Sequence, residues 1–216
     1  MRTTVTVWAD IRCPWCWISH RRLGAALARV EEEQGDREFT VLRRSFLLEP
    51  TGPDHPARTV REAALTSWGV DTAGWEALRG RAEASGRAEG LAIGLDGVRN
   101  LDSRAAHRLI KLATASGTDS ARAWELSFAA LLEHHEDLAD PVALRRLGVE
   151  LGLDSAEVDA TLRSDGFASE VAADHRAAAE LGVHTVPTVL YGDRTLQGDR
   201  SVDELVAFLS PEGVLR

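Results

Sequence analysis

The spacing of apolar residues changes twice near the start of the chain. Residues 3–8 are rich in β-branched and aromatic types, which predicts a β-strand. From residue 17 to about residue 30 good helix formers dominate, and the apolar positions fall close to helical spacing. Residues 38–46 then return to a strand pattern. A strand, a helix and a strand of this length predict a βαβ unit with parallel strands and a right-handed crossover.

The middle of the chain, from about residue 56 to residue 181, is almost wholly helical in character. Capping residues mark the breaks between its helices. Asp140 before Pro141 is a strong helix start, because an N-cap residue precedes proline at the first helical position. The glycine-rich stretch 66–100 predicts short helices and loops instead.

The last part of the chain returns to β-structure. Residues 187–191 and 194–197 read as strands, and the Gly-Asp pair at 192–193 between them predicts a two-residue hairpin turn. Ser201 and Glu204 form a capping-box pattern that opens a final helix.

This element order predicts an α/β protein with a thioredoxin-like fold. The elements run β-α-β, a helical block, then α-β-β-α, which gives a four-stranded mixed sheet. Residues 1–50 and 166–216 are predicted to form the thioredoxin-like domain. Residues 51–165 are predicted to form a large inserted α-helical domain.

Composition and charge narrow the classes of partner. The 216 residues can bury a substantial core. A formal net charge of −9 and a pI near 5.3 argue against binding to nucleic acid or to an anionic membrane surface. No apolar run approaches the roughly 18 residues of a membrane span, and no leader pattern is visible. We therefore expect a cytoplasmic protein that binds neither nucleic acid nor a membrane.

Candidate chemistry lies in the motif Cys-Pro-Trp-Cys, formed by Cys13, Pro14, Trp15 and Cys16. These are the only two cysteines, and they lie between the first predicted strand and the first predicted helix. At a helix N-terminus, unpaired N–H groups and the helix dipole favour a thiolate over a thiol. Cysteines three apart on a first turn share one face and can be bridged. The pattern therefore indicates a redox dithiol.

Two other interpretations of the cysteines are weaker. A structural zinc site needs four ligands, and only His20 is near the pair in sequence, so no metal site is predicted. A permanent structural disulfide is disfavoured in a cytosolic protein, where thiols are kept reduced.

Residues 10–18 and 21–23, around the dithiol, resemble the DsbA family in its FrnE-like subgroup. Softer similarity covers residues 100–109, 147–153 and 181–187, so the resemblance spans nearly the whole chain. It implies a thioredoxin fold with an inserted helical domain and dithiol–disulfide oxidoreductase chemistry on proteins or small molecules.

The resemblance also implies a second half of the site, in the loop of His184, Thr185, Val186 and Pro187. In thioredoxin-like proteins this X-Pro bond is cis and faces the dithiol, whereas an ordinary strand-entry proline is trans. With the proline turned away, the backbone of Val186 can pair with a bound substrate next to Cys13. His184 either takes part in proton transfer or simply faces water.

The predicted mechanism is thiol–disulfide exchange. Cys13, the more exposed thiol at the helix start, attacks a substrate disulfide, and Cys16, one turn inward, resolves the mixed disulfide. Pro14 suits an early helical position, and Trp15 brings no charge to the motif. The charge of Arg12 is a second factor expected to favour the thiolate of Cys13.

Two competing functions remain open. The glutathione-dependent 2-hydroxychromene-2-carboxylate isomerases and kappa-class transferases share the fold and act on small aromatic substrates, but they usually have serine where this chain has Cys13. The other alternative is a binding or chaperone-like protein that does not need its dithiol. No cofactor is predicted beyond the redox-active cysteines. Glutathione is an optional co-substrate. Whether the protein forms a homodimer is left open.

Overall fold

The computed structural model describes residues 2–35 and 38–210. The chain begins with β1 (Arg2–Ala9), α1 (Pro14–Gln34) and β2 (Glu38–Ser45). Seven helices of the middle region follow in the described residues: α2 (Val60–Thr66), α3 (Thr72–Ala88), α4 (Arg104–Ala115), α5 (Ser120–Leu132), α6 (Pro141–Glu150), α7 (Ser155–Arg163) and α8 (Ala168–Glu180). The chain then forms β3 (Thr188–Tyr191), β4 (Arg194–Gln197) and α9 (Val202–Leu209).

The four strands form one mixed sheet in the order β2-β1-β3-β4. β1 pairs in parallel with β2, as the βαβ pattern predicted, and antiparallel with β3. β3 and β4 form the predicted hairpin across Gly192, whose φ of 62° suits the tight turn. This arrangement agrees with the predicted thioredoxin-like fold. The domain boundaries remain a prediction, and residues 1, 36–37 and 211–216 within them lie outside the described residues.

Two groups of buried apolar side chains hold these layers together. One lies between the sheet, α1 and α9, and is made of Val5, Val7, Leu23, Ala26, Leu27, Val30, Val189, Leu205, Val206 and Leu209. The other fills the helical block and continues without a break to Cys13 and Cys16. The dithiol is therefore built into the larger core. None of the described helices is long and apolar enough to cross a membrane.

The first helix begins earlier than its apolar spacing predicted. α1 starts at Pro14, with Cys13 in an extended conformation as its N-cap residue. Proline at the first helical position loses no hydrogen bond and has a suitable φ, so the helix can include the residues between the two cysteines. The consequence is that Cys13 lies at the helix N-terminus and Cys16 one turn inside.

The expectation of only short helices between residues 66 and 100 was wrong. α3 has 17 residues although it contains three glycines. At Gly86 a Cβ atom would come within 2.8 Å of Ile93, so this glycine is required by close packing and does not mark a loop. Trp75 on the same helix is fully buried, and burial of this face stabilises the helix despite its glycines.

Polar contacts of Asp174 attach α8 to the sheet. Its carboxylate accepts a hydrogen bond from the Ser45 backbone at 2.9 Å and pairs with Arg44 at 2.8 Å and with Lys111. Its backbone carbonyl accepts a hydrogen bond from the Trp8 indole at 3.0 Å. The helix that precedes the proline loop is thereby held against β1 and β2.

The contact between α6 and α7 gives a test of this packing. A Cβ atom on Gly148 would lie 2.6 Å from Val158 Cγ2, and valine has little rotamer freedom with which to move away. We expect Gly148→Ala to lower the free energy of unfolding by about 1–3 kcal/mol. Gly24→Ala in α1 is the matched control: its Cβ would meet nothing within 4 Å, and it should be neutral or stabilising by up to about 1 kcal/mol. Urea denaturation measures both, and equal effects would contradict the packing argument.

Candidate active site

Both cysteines are free thiols with little exposure to solvent. Cys13 is 7% exposed and Cys16 is 2% exposed, so Cys13 is the more accessible of the two. The backbone N–H of Cys16 donates to the carbonyl of Cys13 at 3.0 Å, which closes the turn of the motif. The N–H of Cys13 donates in turn to the carbonyl of Asp10 at 3.0 Å. The end of β1 therefore fixes the position of the dithiol.

The protonation of Cys16 is set by its surroundings. Burial raises the pKa of this thiol well above its usual range, and the hydrogen bond with Cys13 and the charge of Cys13 raise it further. The charge of Asp10 acts in the same direction, while a hydrogen bond with the Asp10 backbone opposes them. At neutral pH Cys16 therefore keeps its proton.

The proline loop meets the dithiol from the opposite end of the chain. The Val186–Pro187 peptide bond is cis, and the Cys13 Sγ atom lies 3.7 Å from the Val186 carbonyl oxygen. Thr185 contributes its carbonyl, which accepts a hydrogen bond from the Thr188 hydroxyl at 2.6 Å and fixes the turn into β3. A backbone acceptor is thus aimed at the sulfur of Cys13.

Asp10 is the centre of a buried polar network beneath the motif. Its carboxylate, 0% exposed, accepts from the backbone N–H groups of Arg12 and Leu48 at 3.1 and 2.9 Å. It also contacts the Ser103 hydroxyl and the His107 Nε2 atom, each at 3.3 Å. Burial alone would raise the pKa of Asp10, but the hydrogen bond and charge of His107, followed by the Leu48 N–H and Arg12, bring it below its ordinary value. Asp10 therefore stays ionised.

Arg12 is buried, and its charge is already paired. Its guanidinium donates to the Asn100 side chain and lies 2.7 Å from the Glu49 carboxylate. Because the carboxylate of Glu49 offsets its charge, Arg12 has a weaker electrostatic effect on the groups around it. Cys13 itself is the N-cap residue of α1, where the first backbone N–H groups of the helix have no intrahelical partner.

An apolar groove opens beside Cys13, between the motif and the helical block. It has a volume of about 240 Å³, and its walls include Trp15, Leu48, Trp68, Trp75, Leu78 and Val98. A neighbouring cavity of about 300 Å³ shares Arg12, Leu48 and Trp68 with the groove and adds Glu49, the ion-pair partner of Arg12. Trp68 is 44% exposed, unusual for so large an apolar side chain. The groove is suited to an apolar or aromatic group attached to a sulfur at Cys13.

The sequence matches the family described as a DSBA-like thioredoxin domain over residues 4–210. The chain belongs to the DsbA-like family. No curated protein matches it in sequence.

Solved structures of DsbA-type proteins share this fold. A probable DsbA oxidoreductase from Streptomyces coelicolor is 28% identical with a TM-score of 0.90, and the match covers 99% of this chain and 91% of that one. The cytosolic disulfide reductase DsbM from Pseudomonas aeruginosa is 19% identical with a TM-score of 0.61, over 99% and 100% of the two chains. A 2-hydroxychromene-2-carboxylate isomerase is 17% identical with a TM-score of 0.65, over 98% and 95%. The last two show likeness of fold alone.

In this DsbA-like protein the structure brings together most of the predicted site residues. Cys13, Pro14 and Trp15 line the groove, and Val186 lies against Cys13. His184 is different: it is exposed, and among the described residues no hydrogen bond joins it to either thiol.

No part of the network around Asp10 was predicted from the sequence. Asn100 and His107 fall in a segment that carries the family resemblance, and both are buried beneath the motif of this DsbA-like protein. An aspartate at the end of an apolar strand, three residues before the first cysteine, was the available signal. Arg108, next to His107 on α4, donates to the Gly166 carbonyl at 2.7 Å.

Metal binding has no structural support in the described part of the chain. No group of three or more His, Cys, Asp or Glu side chains there is placed to hold an ion. The His135 Nε2–H donates a hydrogen bond to the Gly94 carbonyl oxygen at 2.7 Å, which gives this ring a structural contact.

Proposed function

We propose that this chain is a thiol–disulfide oxidoreductase in which Cys13 is the nucleophile and Cys16 the resolving thiol. The observation that carries the proposal is the position of Cys13: its sulfur lies at the N-terminus of α1, faces the Val186 carbonyl and opens into the apolar groove. Membership of the DsbA-like family supports the same chemistry.

The reaction proceeds by two exchanges. The Cys13 thiolate attacks a substrate disulfide, forms a mixed disulfide and releases the first substrate thiolate. Cys16 then loses its proton and attacks the Cys13 sulfur, which releases the second substrate thiolate and leaves a Cys13–Cys16 disulfide. An external thiol restores the dithiol. The groove holds the substrate group attached to the sulfur, and the backbone of Val186 pairs with an extended substrate.

Both protein disulfides and small-molecule disulfides fit this proposal, and glutathione is a suitable external thiol. A structure of DsbM with glutathione, 20% identical to this chain, is consistent with that choice. We place the protein in the cytoplasm, where reduced glutathione is available. A homodimer and the FrnE-like subgroup remain part of the proposal.

A second candidate is a glutathione-dependent isomerase or transferase acting on a small aromatic compound. The observation in its favour is the set of tryptophans around the groove: Trp15 and Trp68 are partly exposed and present stacking surfaces to an aromatic ring, and Trp75 is buried behind them. The presence of Cys13 and Cys16 as a pair favours disulfide exchange over this alternative.

Trapping with Cys16→Ser tests the proposal. Without the resolving thiol, the mixed disulfide on Cys13 persists because only an external thiol can release it. We expect the Cys16→Ser protein to accumulate adducts in cells, identified by mass spectrometry as protein clients or as glutathione. The Cys13→Ser, Cys16→Ser double variant is the control and should carry none. Failure of Cys16→Ser to form any adduct would argue against disulfide exchange and favour the second candidate.

A further inference from the structure

Cys16 borders a small internal cavity on the side facing away from the substrate groove. The cavity measures about 10 Å³ and is enclosed by Cys16, His20, Arg43 and apolar side chains including Trp124 and Phe128. A cavity needs roughly 10–15 Å³ of this kind of volume to hold one water molecule. His20 follows Cys16 by four residues on α1, so both side chains lie on one helix face.

His20 and Arg43 also line a much larger cavity that opens to solvent. It has a volume of about 470 Å³, and His20, Arg43 and Glu125 are among its walls. His20 and Arg43 therefore separate the small cavity at Cys16 from bulk water. On this side of the protein, the side chains of His20 and Arg43 lie between Cys16 and the solvent.

Glu125 carries an unexplained buried atom at this boundary. Its Oε2 atom has no hydrogen bond of regular geometry within the described chain, although it lies 3.5 Å from His20 Nε2. Its Oε1 atom accepts a hydrogen bond from Arg21 Nε at 3.0 Å. Among the described residues, this buried oxygen meets the His20 ring at a distance longer than a regular hydrogen bond, so the pair is poorly satisfied at rest and a small movement would bring the two atoms into hydrogen-bond contact.

We propose that His20 and Glu125 form a proton relay that serves the resolving thiol Cys16 from behind. This inference rests on the proposed function, because only the resolving step requires Cys16 to lose its proton. During that step the substrate occupies the groove in front of Cys13, so the rear cavity offers a path that the mixed disulfide does not block.

The proton transfers of the relay balance, and His20 carries the same charge before and after them. As the Cys16 sulfur bonds to Cys13 and the substrate thiolate departs, the Cys16 proton passes to a water in the small cavity. That water passes a proton to Nδ1 of His20, and the Nε2 proton of His20 moves to Glu125 Oε2. Glu125 then releases its proton into the open cavity.

The charges around His20 keep the ring neutral, as the relay requires. Burial lowers the pKa of His20 to about 3, the charges of Arg43 and Arg21 lower it as well, and Asp119 partly opposes them. A neutral imidazole with a donor on one nitrogen and an acceptor on the other can pass a proton through itself. A ring with so low a pKa would be a poor terminal base, and therefore the carboxylate of Glu125 completes the path.

Asp10 also lies close to Cys16, and it is unsuited to accept the proton. Its carboxylate already has four hydrogen-bond partners, in Arg12, Leu48, Ser103 and His107. Those partners stabilise its charge and bring its pKa below the ordinary value. The positive charge of Arg43 on the opposite side favours the transient thiolate of Cys16 instead.

A single-turnover reaction with the aromatic disulfide 5,5′-dithiobis(2-nitrobenzoate) tests the relay. With stoichiometric reagent and the reduced full chain, attack by Cys13 releases one thionitrobenzoate and attack by Cys16 releases a second. We expect His20→Gln and Glu125→Gln to slow the second phase by about tenfold to a hundredfold at pH 7. The first phase should keep its rate. Arg122→Gln, which lines the same open cavity, is the control and should leave both phases within twofold of the parent protein.

The pH profile separates the relay from a loss of packing. In a variant that lacks the relay, the rate of the second phase should depend on hydroxide and rise about tenfold per pH unit. In the parent protein the rate of this phase should change less steeply with pH. An unchanged second phase in Glu125→Gln, a residue at the edge of the open cavity, would overturn the relay even if His20→Gln failed to fold. Equal slowing of both phases, or slowing by Arg122→Gln, would overturn it as well. Absence of the first phase in the parent protein would refute the proposed function itself.

Discussion

Cys13→Ser should reduce disulfide exchange to the rate of the reaction without protein. A serine hydroxyl is not ionised at neutral pH and cannot form the mixed disulfide, so no step of the reaction remains. Reduction of insulin by dithiothreitol, followed by turbidity, measures the loss. The fold should persist, because serine has nearly the volume of cysteine and its hydroxyl can also donate to the Val186 carbonyl that lies 3.7 Å from the Cys13 sulfur.

The matched Cys16→Ser variant separates the roles of the two thiols. It should still react once with a disulfide at Cys13 and then stop, so turnover is lost while a stoichiometric burst remains. If Cys13→Ser kept insulin reduction above background, Cys13 would not be the nucleophile. If the Cys13→Ser variant kept a glutathione-dependent activity toward an aromatic compound, the isomerase candidate would gain support.

Asp10→Asn should cause the largest loss of stability of any single polar substitution near the site. The carboxylate accepts two backbone N–H bonds, from Arg12 and Leu48, and contacts Ser103 and His107. An amide replaces one acceptor oxygen with a donor and leaves buried donors facing each other. We expect the free energy of unfolding to fall by about 3–5 kcal/mol, the range for breaking a buried charged network. Urea denaturation at pH 7 measures it.

The pH dependence gives this prediction a second check. Because the pKa of Asp10 is lower in the folded protein than in the unfolded chain, its contribution to stability is complete above the unfolded value of about 3.9. That contribution disappears as the pH falls through the lower folded value. The difference in stability between the parent and Asp10→Asn should therefore shrink below about pH 4.

Glu33→Gln is the surface control for Asp10→Asn. Glu33 is half exposed and pairs with Arg29 at 3.0 Å across one helical turn. Its loss should change stability by no more than about 0.5 kcal/mol at neutral pH. A similar cost for both substitutions would mean that the network around Asp10 contributes little.

Local features of the fold were predictable because they depend on neighbours in sequence. The helix start at Asp140 is confirmed, with the aspartate accepting a backbone hydrogen bond in the first turn. The capping box of Ser201 and Glu204 is present with both of its hydrogen bonds. α3 was predicted less well, since the packing that stabilises a glycine-rich helix comes from residues elsewhere in the chain.

The residues of the candidate site also differ in how far they could be predicted from their neighbours in sequence. Cys13 and Cys16 stand out in the sequence because the motif is short and its chemistry is specific. Asp10 does not stand out, because its partners come from two distant parts of the chain: Leu48 follows β2, and Ser103 and His107 lie at the start of α4. His20 was set aside as an incomplete metal ligand, and only the arrangement of cavities around Cys16 gives it another role.

The strand order β2-β1-β3-β4 has a consequence for biosynthesis. β1, which leads into the dithiol, lies between β2 and β3, yet β2 ends at Ser45 and β3 begins only at Thr188. A nascent chain therefore carries its cysteines out of the ribosome long before the Val186–Pro187 turn exists to cover them. Until β3 has been synthesised, the sheet is half-formed and the pair is open to oxidants and to other nascent thiols.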